Sequence, residues 1–472
     1  MAACMQAKYA MSAIGFDPEL VRRYDVAGPR YTSYPTARQF GPGVDHAVYQ
    51  NAIKRSNEDF IPSPLSLYLH LPFCKSPCFY CGCSRLITSR PERIAAYLQR
   101  LYREIHLQGQ RFDRDRNVRQ LHLGGGTPTY LTDDQLQELF DTLRKVFVLE
   151  ERSQREFSIE ADPRGLTAER LKTLAEIGFN RISYGFQDFD PQVQEAINRI
   201  QDPQHCLELI AAARRAGFCS VSVDLIYGLP RQTRAGFTAT LEAVAGARPD
   251  RVSIYGYAHL PQYFKAQQHI HHAELPDADL RLNLLQTAVE VLTGQGYEYV
   301  GMDHFALPDD ELFQARSNGT LQRNFQGYST HAGLDLVGLG MTAISHVSDV
   351  YAQNAKTLDS YYAKLDAGLL PVERGYVMTA DDCLRADVIG RLMCYEEVPF
   401  DPIERRHNVV FREYFARELT ALQPLEDDKL VKVEPDRLLV LPRGRFLRRA
   451  LAMVFDAYLP RENAASTYSR VV

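Results

Sequence analysis

Long apolar runs are missing from this sequence, and no stretch approaches the roughly 20 residues that a membrane-spanning helix needs. The first twenty residues contain no basic segment followed by an apolar core and a small-residue cleavage site, which would mark a secretory signal. Low-complexity tracts and internal repeats of fixed period are also missing. We therefore expect a cytoplasmic protein that does not bind a membrane.

An excess of positive charge is missing too. The 472 residues carry a formal net charge of −5, which argues against bulk affinity for nucleic acid or anionic lipid. With 45% hydrophobic and 24% charged residues, the composition is that of an ordinary globular protein. A chain of this length exceeds one ordinary core, so one large and one smaller domain are expected. No segment resembles a dimer seam, and we expect a monomer.

The nine cysteines do not form the paired C-x2-C knuckles, a dozen or more residues apart, that structural zinc usually requires. A disulfide framework is also disfavoured, because the chain is long, the cysteine count is odd and no secretion signal is visible. What the sequence does contain is a cluster of four cysteines within ten residues, at Cys74, Cys78, Cys81 and Cys83.

The first three of these cysteines make the motif C-x3-C-x2-C. Their thiolates can converge on three corners of a cubic iron–sulfur cluster, whose fourth iron would stay open to a small molecule. Cys83 lies two residues beyond Cys81 and is too close to serve as a fourth ligand if that iron is open. The spacing therefore favours an iron–sulfur cluster over zinc.

Alternating leucines from Leu65 to Leu71 have the period-2 pattern of a strand, with Tyr68 and His70 on the opposite face. Strand and helix patterns then alternate along the chain. The six predicted strands cover residues 65–71, 118–123, 157–161, 181–186, 221–227 and 251–257. The helices predicted between them lie near 94–105, 132–139, 167–177, 206–216 and 237–245. Such crossovers favour a parallel sheet, and in parallel barrels the chemistry gathers at the carboxyl ends of the strands.

Residues with useful chemistry follow these strands. A glycine run at 124–126 ends the second strand, and it can let the backbone approach a ligand closely and donate amides to a carboxylate. A tight turn between strand and helix is the alternative explanation. Glu160, Gln187, Asp224 and Ala258 lie at or near the next four strand ends. The run does not match G-x-G-x-x-G, so no dinucleotide is inferred.

From about residue 372 the pattern becomes helical, and a hairpin at 430–433 and 438–441 precedes a last helix through Phe455. The apolar stripe of the first helix consists of Leu384, Val388 and Leu392. Helices followed by a hairpin can form a DNA-binding winged helix. A basic cluster near the hairpin consists of Arg443, Arg445, Arg448 and Arg449. The net charge favours a solvated basic helix face over DNA binding.

C-x3-C-x2-C after a strand is the signature of radical S-adenosylmethionine (SAM) enzymes. The longer context, from Tyr68 to the ending Cys81-Gly-Cys83, resembles the oxygen-independent coproporphyrinogen III oxidases. The resemblance covers nearly the whole chain. Further segments that carry it are 28–36, 124–129, 159–163, 184–189, 224–230, 301–305 and 324–328.

The resemblance implies an α/β fold: a radical SAM partial (β/α)6 barrel with an extended N-terminal arm and a mostly helical C-terminal domain. The expected divisions are 1–50 for the arm over the active site, 51–371 for the catalytic barrel and its extension, and 372–472 for the C-terminal domain.

The activity implied by the resemblance is an anaerobic oxidative decarboxylation in porphyrin and haem biosynthesis. One 4Fe-4S cluster would be held by Cys74, Cys78 and Cys81, with its fourth iron on SAM. After reduction by an unidentified low-potential donor, SAM would yield a 5′-deoxyadenosyl radical that abstracts hydrogen from a propionate of coproporphyrinogen III. Loss of carbon dioxide and an electron leaves a vinyl group, and two such events give protoporphyrinogen IX.

Two molecules of SAM, side by side, are also implied by the resemblance. The cluster-bound SAM is expected to contact Tyr68, Gly125, Glu160 and Ile344. The second SAM is expected to contact Tyr80, Gly126, Thr127, Gln187, Arg199, Asp224 and Ala258. Carboxylates can accept protons from ribose hydroxyls, and an arginine can pair with a methionine carboxylate. Helix-capping acids and a surface ion pair of Arg199 are the structural alternatives.

The residues expected at the reacting centre are Tyr68, His70, Cys83 and Arg30. Cys83 is expected near the second SAM or the substrate. His70 could donate to SAM, or it could be a buried histidine whose hydrogen bonds are satisfied. Arg30 can pair with a propionate, and the arm that carries it is expected to cross the barrel mouth, with a merely packed tail as the alternative. Further substrate candidates are Tyr31, Tyr34, Gln326 and Tyr328.

Three other functions remain open at this point. A haem-trafficking paralogue would keep the three-cysteine motif, although Cys83 and the arm argue against it. A radical SAM methyltransferase or haem-opening enzyme could use the same two-SAM scaffold. A DNA-binding regulator could use the C-terminal domain.

Overall fold

The computed structural model describes residues 15–151 and 155–459. Its strands, in chain order, are β1 Leu65–Leu71, β2 Phe73–Cys74, β3 Leu86–Ile87, β4 Val118–Gly125, β5 Glu156–Ala161, β6 Arg181–Gln187, β7 Ser220–Tyr227, β8 Arg251–Gly256, β9 Glu298–Gly301, β10 His304–Ala306, β11 Gln322–Asn324, β12 Gly327–Ser329, β13 Asp335–Leu339, β14 Ile344–Val347, β15 Val350–Asn354, β16 Val372–Val377, β17 Glu397–Pro399, β18 Val431–Val433 and β19 Arg437–Val440.

The α-helices, in chain order, are α1 Pro18–Tyr24, α2 His46–Asn57, α3 Pro91–Gly109, α4 Asp133–Val146, α5 Ala168–Ile177, α6 Pro191–Ala196, α7 Pro203–Ala216, α8 Arg234–Gly246, α9 Ala278–Gly294, α10 Glu311–Asn318, α11 Leu358–Asp366, α12 Ala380–Cys394, α13 Phe400–His407, α14 Phe411–Tyr414, α15 Ala416–Ala421, α16 Gln423–Asp427 and α17 Arg448–Val454. None of the helices within the described ranges is long and apolar enough to cross a membrane.

The main sheet has twelve strands in the order β16-β15-β14-β13-β1-β4-β5-β6-β7-β8-β10-β9. All neighbours from β13 to β8 are parallel, and the strands beyond them on both sides are antiparallel. The six predicted strands are confirmed as β1, β4, β5, β6, β7 and β8, in that spatial order. The helices predicted between them are confirmed as α3, α4, α5, α7 and α8. The six outer strands were not predicted.

Local sequence accounts for the central elements. The four leucines of β1 are buried, and the strand is covered on both faces, as expected for a strand inside a parallel sheet. Helix α4 begins with the predicted capping box, in which Thr132 and Gln135 exchange hydrogen bonds between side chain and backbone. Helix α3 begins at Pro91, whose missing N–H costs nothing in the first turn.

A second hydrophobic core lies in the C-terminal part, and the predicted stripe of Leu384, Val388 and Leu392 is buried in it. The predicted hairpin is confirmed as β18 and β19, with β17 added to its edge. The helical pattern does not begin at residue 372 as expected: residues 372–377 form β16, which pairs with β15, and α12 begins at Ala380. The domain division at 372 stays a prediction.

The basic cluster near the hairpin is not a solvated face, and that expectation was wrong. Arg448 donates to Glu396 at 2.8 Å, and Arg445 lies 3.5 Å from the same carboxylate. Arg449 is buried and donates to the carbonyls of residues 28 and 29. Arg443 pairs with Asp17. These four side chains bind carboxylates and backbone carbonyls of this chain, so they do not form a DNA-binding surface either.

Glu104 of α3 is fully buried and holds the turn between β13 and β14. Its carboxylate accepts from the Gly340 amide at 2.7 Å, from the Asn354 amide group at 2.7 Å and from the Tyr361 hydroxyl at 2.5 Å. The turn leads directly into Ile344, so this buried carboxyl positions one of the predicted SAM contacts. Burial raises the pKa of Glu104 to about 7, and the three hydrogen bonds oppose the rise only in part.

This pKa predicts a pH-dependent stability. Between the unfolded value of 4.5 and about 7, native Glu104 holds a proton that the unfolded chain releases, so its contribution is present at low pH and lost as the pH rises. We expect the difference in free energy of unfolding between wild type and Glu104→Gln to fall by about 2–3 kcal/mol from roughly pH 5 to pH 8. Denaturant titration of both proteins measures it, with exposed Glu290→Gln as the control. A difference that does not change with pH would contradict the expectation.

Candidate functional site

The cysteine loop leaves the carboxyl end of β1 and returns through β3, which pairs with β2 in parallel. Each of the three motif sulfurs receives a hydrogen-bond donor. Thr127 Oγ1 lies 3.4 Å from Cys74 Sγ, and Arg199 Nη1 lies 3.3 Å from Cys78 Sγ. The backbone N–H of Cys83 lies 3.4 Å from Cys81 Sγ. Donors aimed at sulfur stabilise thiolates, which are the ligands of iron–sulfur clusters.

The donor set fits a cluster better than a single ion. In the part of the chain that the structure describes, no three His, Cys, Asp or Glu side chains are grouped closely enough to hold one metal ion. A cubic cluster needs its thiolates on separate irons, so they need not meet at one point. Hydrogen bonds from Cys83 lower the pKa of Cys81 to about 6, and the same interaction raises the pKa of Cys83. Cys81 is therefore the readier ligand of the two.

The glycine run packs against the cysteine loop. A Cβ on Gly126 would lie 2.6 Å from the carbonyl carbon of Pro72, so only glycine fits there. The expectation that this run offers free amides to a ligand carboxylate was wrong. The amide of Gly125 donates to Glu160 at 3.1 Å, that of Gly126 to the carbonyl of Leu71 at 2.8 Å, and that of Thr127 to the carbonyl of residue 73 at 2.8 Å. These amides fasten the loop to the sheet.

A cavity of about 690 Å³ lies between the cysteine loop and the carboxyl ends of β4 to β7. Its lining contains twelve of the residues predicted from the sequence. These are Cys74, Cys78, Tyr80, Cys81, Cys83, Gly125, Gly126, Thr127, Glu160, Gln187, Arg199 and Asp224. Residues that are up to 150 positions apart in the sequence therefore lie together in the structure.

A smaller cavity of about 280 Å³ adjoins the first. Its lining contains Tyr68, Gly125, Glu160 and Ile344, the four residues predicted to contact the cluster-bound SAM. Gly125, Glu160 and Cys83 line both cavities, so the two spaces share a wall. The three motif cysteines themselves lie in the lining of the larger cavity only.

Glu160 is held in the shared wall by its neighbours. Its carboxylate accepts from the Gly125 amide and lies 3.2 Å from His122 Nε2. The ring of Tyr68 stacks on His122 with the ring centres 5.8 Å apart. Burial alone would raise the pKa of Glu160, but the hydrogen bonds and the charge of His122 hold it below its ordinary value. The carboxyl is therefore ionised at neutral pH.

Asp224 lines the larger cavity, as Glu160 does, but its pKa is shifted in the opposite direction. Burial and the nearby charge of Glu160 raise the pKa of Asp224 to about 7, and hydrogen bonds from Ser253 and Ser183 oppose the rise only in part. At neutral pH this carboxyl is partly protonated, so it can donate a hydrogen bond as well as accept one. Asp224 is not a helix cap, because it lies within β7.

His70 matches the alternative of a satisfied buried histidine. Its Nδ1 lies 3.1 Å from the Tyr68 hydroxyl and its Nε2 lies 2.8 Å from the Ser84 carbonyl. Burial lowers the pKa of His70, so the ring is neutral. With Nε2 donating to Ser84, Nδ1 accepts from Tyr68 and no N–H remains for a ligand. Its assignment to the reacting centre stays a prediction.

Arg199 is part of a buried ion pair that sequence reasoning missed. Its Nη1 lies 3.2 Å from Asp162, which also accepts from Arg164 at 2.6 Å. Both arginines approach the sulfur of Cys78. The surface ion pair considered for Arg199 was wrong, because its side chain is only 7% exposed. Asp162 stands two positions after Glu160, and that spacing on a strand end was the available signal.

Some predicted residues lie elsewhere. Ala258, just beyond β8, is absent from the lining of both cavities, and its carbonyl accepts from Gln267. Tyr31 and Tyr34 are buried in the second core, so they do not face a substrate. Tyr328 donates its hydroxyl to the carbonyl of Met393 at 2.7 Å. Gln326 does line the smaller cavity.

Arg30 lies beside the larger cavity but is absent from the lining of both cavities. It pairs with Asp303, and its guanidinium lies 5.9 Å from the ring centre of Tyr255, which lines the larger cavity. Within the segment 28–36 (the arm), Tyr31 and Tyr34 pack into the second core, and Arg30 lies beside Tyr255. The position of the arm over the active site stays a prediction.

Comparison with known proteins gives a consistent answer. Residues 68–244 match the Radical SAM superfamily, and residues 378–447 match the HemN C-terminal domain. The chain is 44% identical to the oxygen-independent coproporphyrinogen III oxidase of Pseudomonas aeruginosa, over 98% of this chain and 100% of that protein. It is 43% identical to the Escherichia coli protein of the same description, over 98% and 100%. The solved structure of coproporphyrinogen III oxidase from E. coli, a radical SAM enzyme, superposes with a TM-score of 0.89, covering 94% of this chain and 100% of that chain.

The cysteine geometry predicts three cluster ligands. Replacing Cys74, Cys78 or Cys81 by Ser should abolish the visible iron–sulfur absorption, because each would leave one iron without a thiolate. Cys83→Ser should leave the iron content near that of wild type. Anaerobic reconstitution followed by iron analysis measures both. Loss of the cluster in Cys83→Ser would overturn the three-ligand assignment.

Proposed function

The chain belongs to the oxygen-independent coproporphyrinogen III oxidases of the radical SAM superfamily. From this premise we propose which ligands its two cavities bind. It is an oxidoreductase that oxidises coproporphyrinogen III without oxygen in haem biosynthesis, with the 4Fe-4S cluster and SAM of its superfamily. This membership decides against the haem-trafficking and methyltransferase interpretations.

We propose that Cys74, Cys78 and Cys81 hold the cluster and that the reaction converts two propionates of the substrate to vinyl groups, giving protoporphyrinogen IX. The reduced cluster and SAM together supply the radical that removes a hydrogen atom from each propionate. The protein positions these groups and excludes water, because the cofactors carry the difficult chemistry. Thr127 and Arg199 offer hydrogen-bond donors to the sulfurs of Cys74 and Cys78.

We also propose two SAM molecules per chain. The observation that carries this proposal is the division of the site. The four residues matched to the cluster-bound SAM line the smaller cavity, two of them in the wall shared with the larger one, and six residues matched to the second SAM line the larger cavity only. Gln187 Oε1 and Arg199 Nε support it, since both are buried without a hydrogen-bond partner among the described residues. Buried polar atoms normally have partners, and a bound ligand would supply them.

The substrate is a flexible tetrapyrrole with four anionic propionates, and it needs cationic partners. Arg30 is suited to this role because its ion pair with Asp303 holds the guanidinium beside Tyr255, at the edge of the larger cavity. A hydrogen bond to a charged group of this kind contributes about 1.5–3 kcal/mol. The low-potential electron donor is a further proposed partner.

The decisive assay mixes the cluster-loaded chain, SAM, a reductant and coproporphyrinogen III without oxygen. We expect a product that has lost two carboxyl groups, together with 5′-deoxyadenosine and methionine. Product mass separates this outcome from a methyl transfer, in which the substrate would gain mass. A wild-type chain with an intact cluster that releases no carbon dioxide would contradict the proposal.

The two-SAM proposal predicts separable effects at two carboxyls. Glu160→Gln should weaken binding of the cluster-bound SAM by about tenfold or more, because a charged acceptor of ribose hydroxyls is lost. Asp224→Asn should weaken binding of the second SAM by a smaller factor, because Asp224 is only partly ionised at neutral pH. Anaerobic equilibrium dialysis of cluster-loaded protein measures both sites, and the exposed Glu290→Gln serves as the control. Only one SAM per cluster-loaded wild-type chain would remove the two-site proposal.

A further inference from the structure

A row of cations and aromatic rings connects the arm to the hairpin formed by β11 and β12. The guanidinium of Arg30 lies 5.9 Å from the ring centre of Tyr255, and that ring meets His304 edge-on at 5.9 Å. His304 meets Tyr328 edge-on at 5.2 Å, and Arg323 lies 4.9 Å from the ring centre of Tyr328. We call these five residues the cation–aromatic row.

The row connects a lining residue of the larger cavity to the hairpin whose loop lines the smaller one. At one end, Tyr255 lines the larger cavity. At the other end, Arg323 and Tyr328 are cross-strand partners in the hairpin, and its two-residue loop, Phe325 and Gln326, lines the smaller cavity. A ligand that extends from Tyr255 to the hairpin loop would therefore lie close to the row.

Arg323 has hydrogen-bonding capacity that the described residues leave unused. Its Nε and Nη1 are buried without a hydrogen-bond partner, and so are both amide atoms of Gln326, three residues further on. Leaving such groups buried and unpaired is costly, and an anion supplies the matching acceptors for a guanidinium. The unused donors therefore indicate a ligand of negative charge at the hairpin.

The carboxylate of Asp303 does not supply the missing hydrogen-bond acceptors for Arg323. Asp303 is already paired with Arg30. Arg323 contributes to the positive potential around Asp303, together with Arg449, which donates to backbone carbonyls of the arm. Burial lowers the pKa of His304 to about 4, so this ring adds no charge at neutral pH. Arg448, which also acts on Tyr328, is paired with Glu396. Among the described residues, the positive charge at the hairpin end of the row that has no carboxylate partner is therefore that of Arg323.

We propose that Arg323 binds a carboxylate of the tetrapyrrole substrate, at the opposite end of the cation–aromatic row from Arg30. The inference rests on the proposed function and adds a second anchor to it. Two anchors separated by aromatic rings would hold two propionates of one macrocycle at once and so fix which pyrrole ring enters the cavity. The ligand class is a propionate side chain on a flexible tetrapyrrole ring system.

The test compares Arg323→Met, Arg323→Lys and Arg30→Met with wild type, all loaded with cluster. The probe is coproporphyrin III, the oxidised and fluorescent form of the substrate, titrated in the presence of SAM. We expect Arg323→Met to weaken binding and to raise KM for coproporphyrinogen III by about 10- to 100-fold, with a smaller effect for Lys. Iron content and SAM stoichiometry should stay at wild-type values, as should all readouts in the exposed Arg417→Met.

If wild type converts coproporphyrinogen III, two results overturn the inference and leave the proposed function intact. In the first, Arg323→Met binds coproporphyrin III with unchanged affinity. In the second, Arg323→Met changes only the melting temperature. If Arg323→Met does not fold, Arg323→Lys decides, because lysine keeps the charge over Tyr328 but loses the forked donors. Unchanged binding by a folded Lys variant then overturns the inference. Wild type that fails to convert the substrate overturns the proposed function, and the inference with it.

Discussion

Two backbone hydrogen bonds fasten the cysteine loop to the neighbouring strand, and the rest of the site is built on this attachment. The amide of Gly126 donates to the carbonyl of Leu71, and the amide of Thr127 donates to that of Phe73. This approach is possible only because residue 126 has no side chain, since a Cβ there would collide with the backbone of Pro72. Once the backbones are joined, the Thr127 hydroxyl reaches the sulfur of Cys74.

The attachment also creates the larger cavity. With the loop held over the end of β4, the sulfurs face the ends of β5, β6 and β7, where Glu160, Gln187 and Asp224 lie. The parallel order of the strands supplies this wall, since all their carboxyl ends lie at one edge. The cavity is therefore the space between one rigid loop and one rigid edge, which is the arrangement that precise positioning of a radical requires.

The two carboxyls in this space have opposite pKa shifts for one physical reason. Both are buried, but Glu160 has His122 and an amide as partners, whereas Asp224 has mainly serine hydroxyls and the charge of Glu160. One carboxyl therefore stays ionised, and the other is near its titration point at neutral pH. A single fixed negative charge favours a cationic ligand such as a sulfonium, while a second full charge would repel the first.

The sequence was informative where one residue type or one period decides the structure. The six central strands and their helices follow from apolar runs and amphipathic stripes, and the cysteine spacing and strand-end position of Glu160 and Asp224 follow from short motifs. The outer strands were missed because five of the six have only three to five residues. All of them except β13, which is parallel to β1, pair only antiparallel at the sheet edges, where no crossover helix marks them. Periodicity is a weak signal at that length.

The hydrogen-bond and ion-pair partners of side chains and amides could not be predicted from the sequence, for a different reason. The amides of the glycine run were expected to be free because the sequence does not show that Leu71 and Phe73 lie opposite them. Asp162 was overlooked because its partner Arg199 is 37 positions away. Such pairs are set by tertiary packing, and no local pattern encodes them.

The arm shows most clearly how folding and function are joined in this chain. Tyr31 donates to Asp456, and the Tyr34 hydroxyl accepts from the Ala457 amide, so the C-terminal core holds the arm just after Arg30. Arg449 adds hydrogen bonds to the carbonyls just before Arg30.

Removal of the arm would therefore do more than remove one guanidinium. Two buried aromatic side chains would leave the second core, and each contributes about 1.5–3 kcal/mol by burial. Loss of activity in a truncated chain would reflect the damaged core as much as the lost ion pair. Substitution of Arg30 alone separates the two effects, because its side chain is 36% exposed and contacts Asp303 and Tyr255 outside that core. The C-terminal core thus fixes the position of Arg30, because it holds the backbone on both sides of this residue.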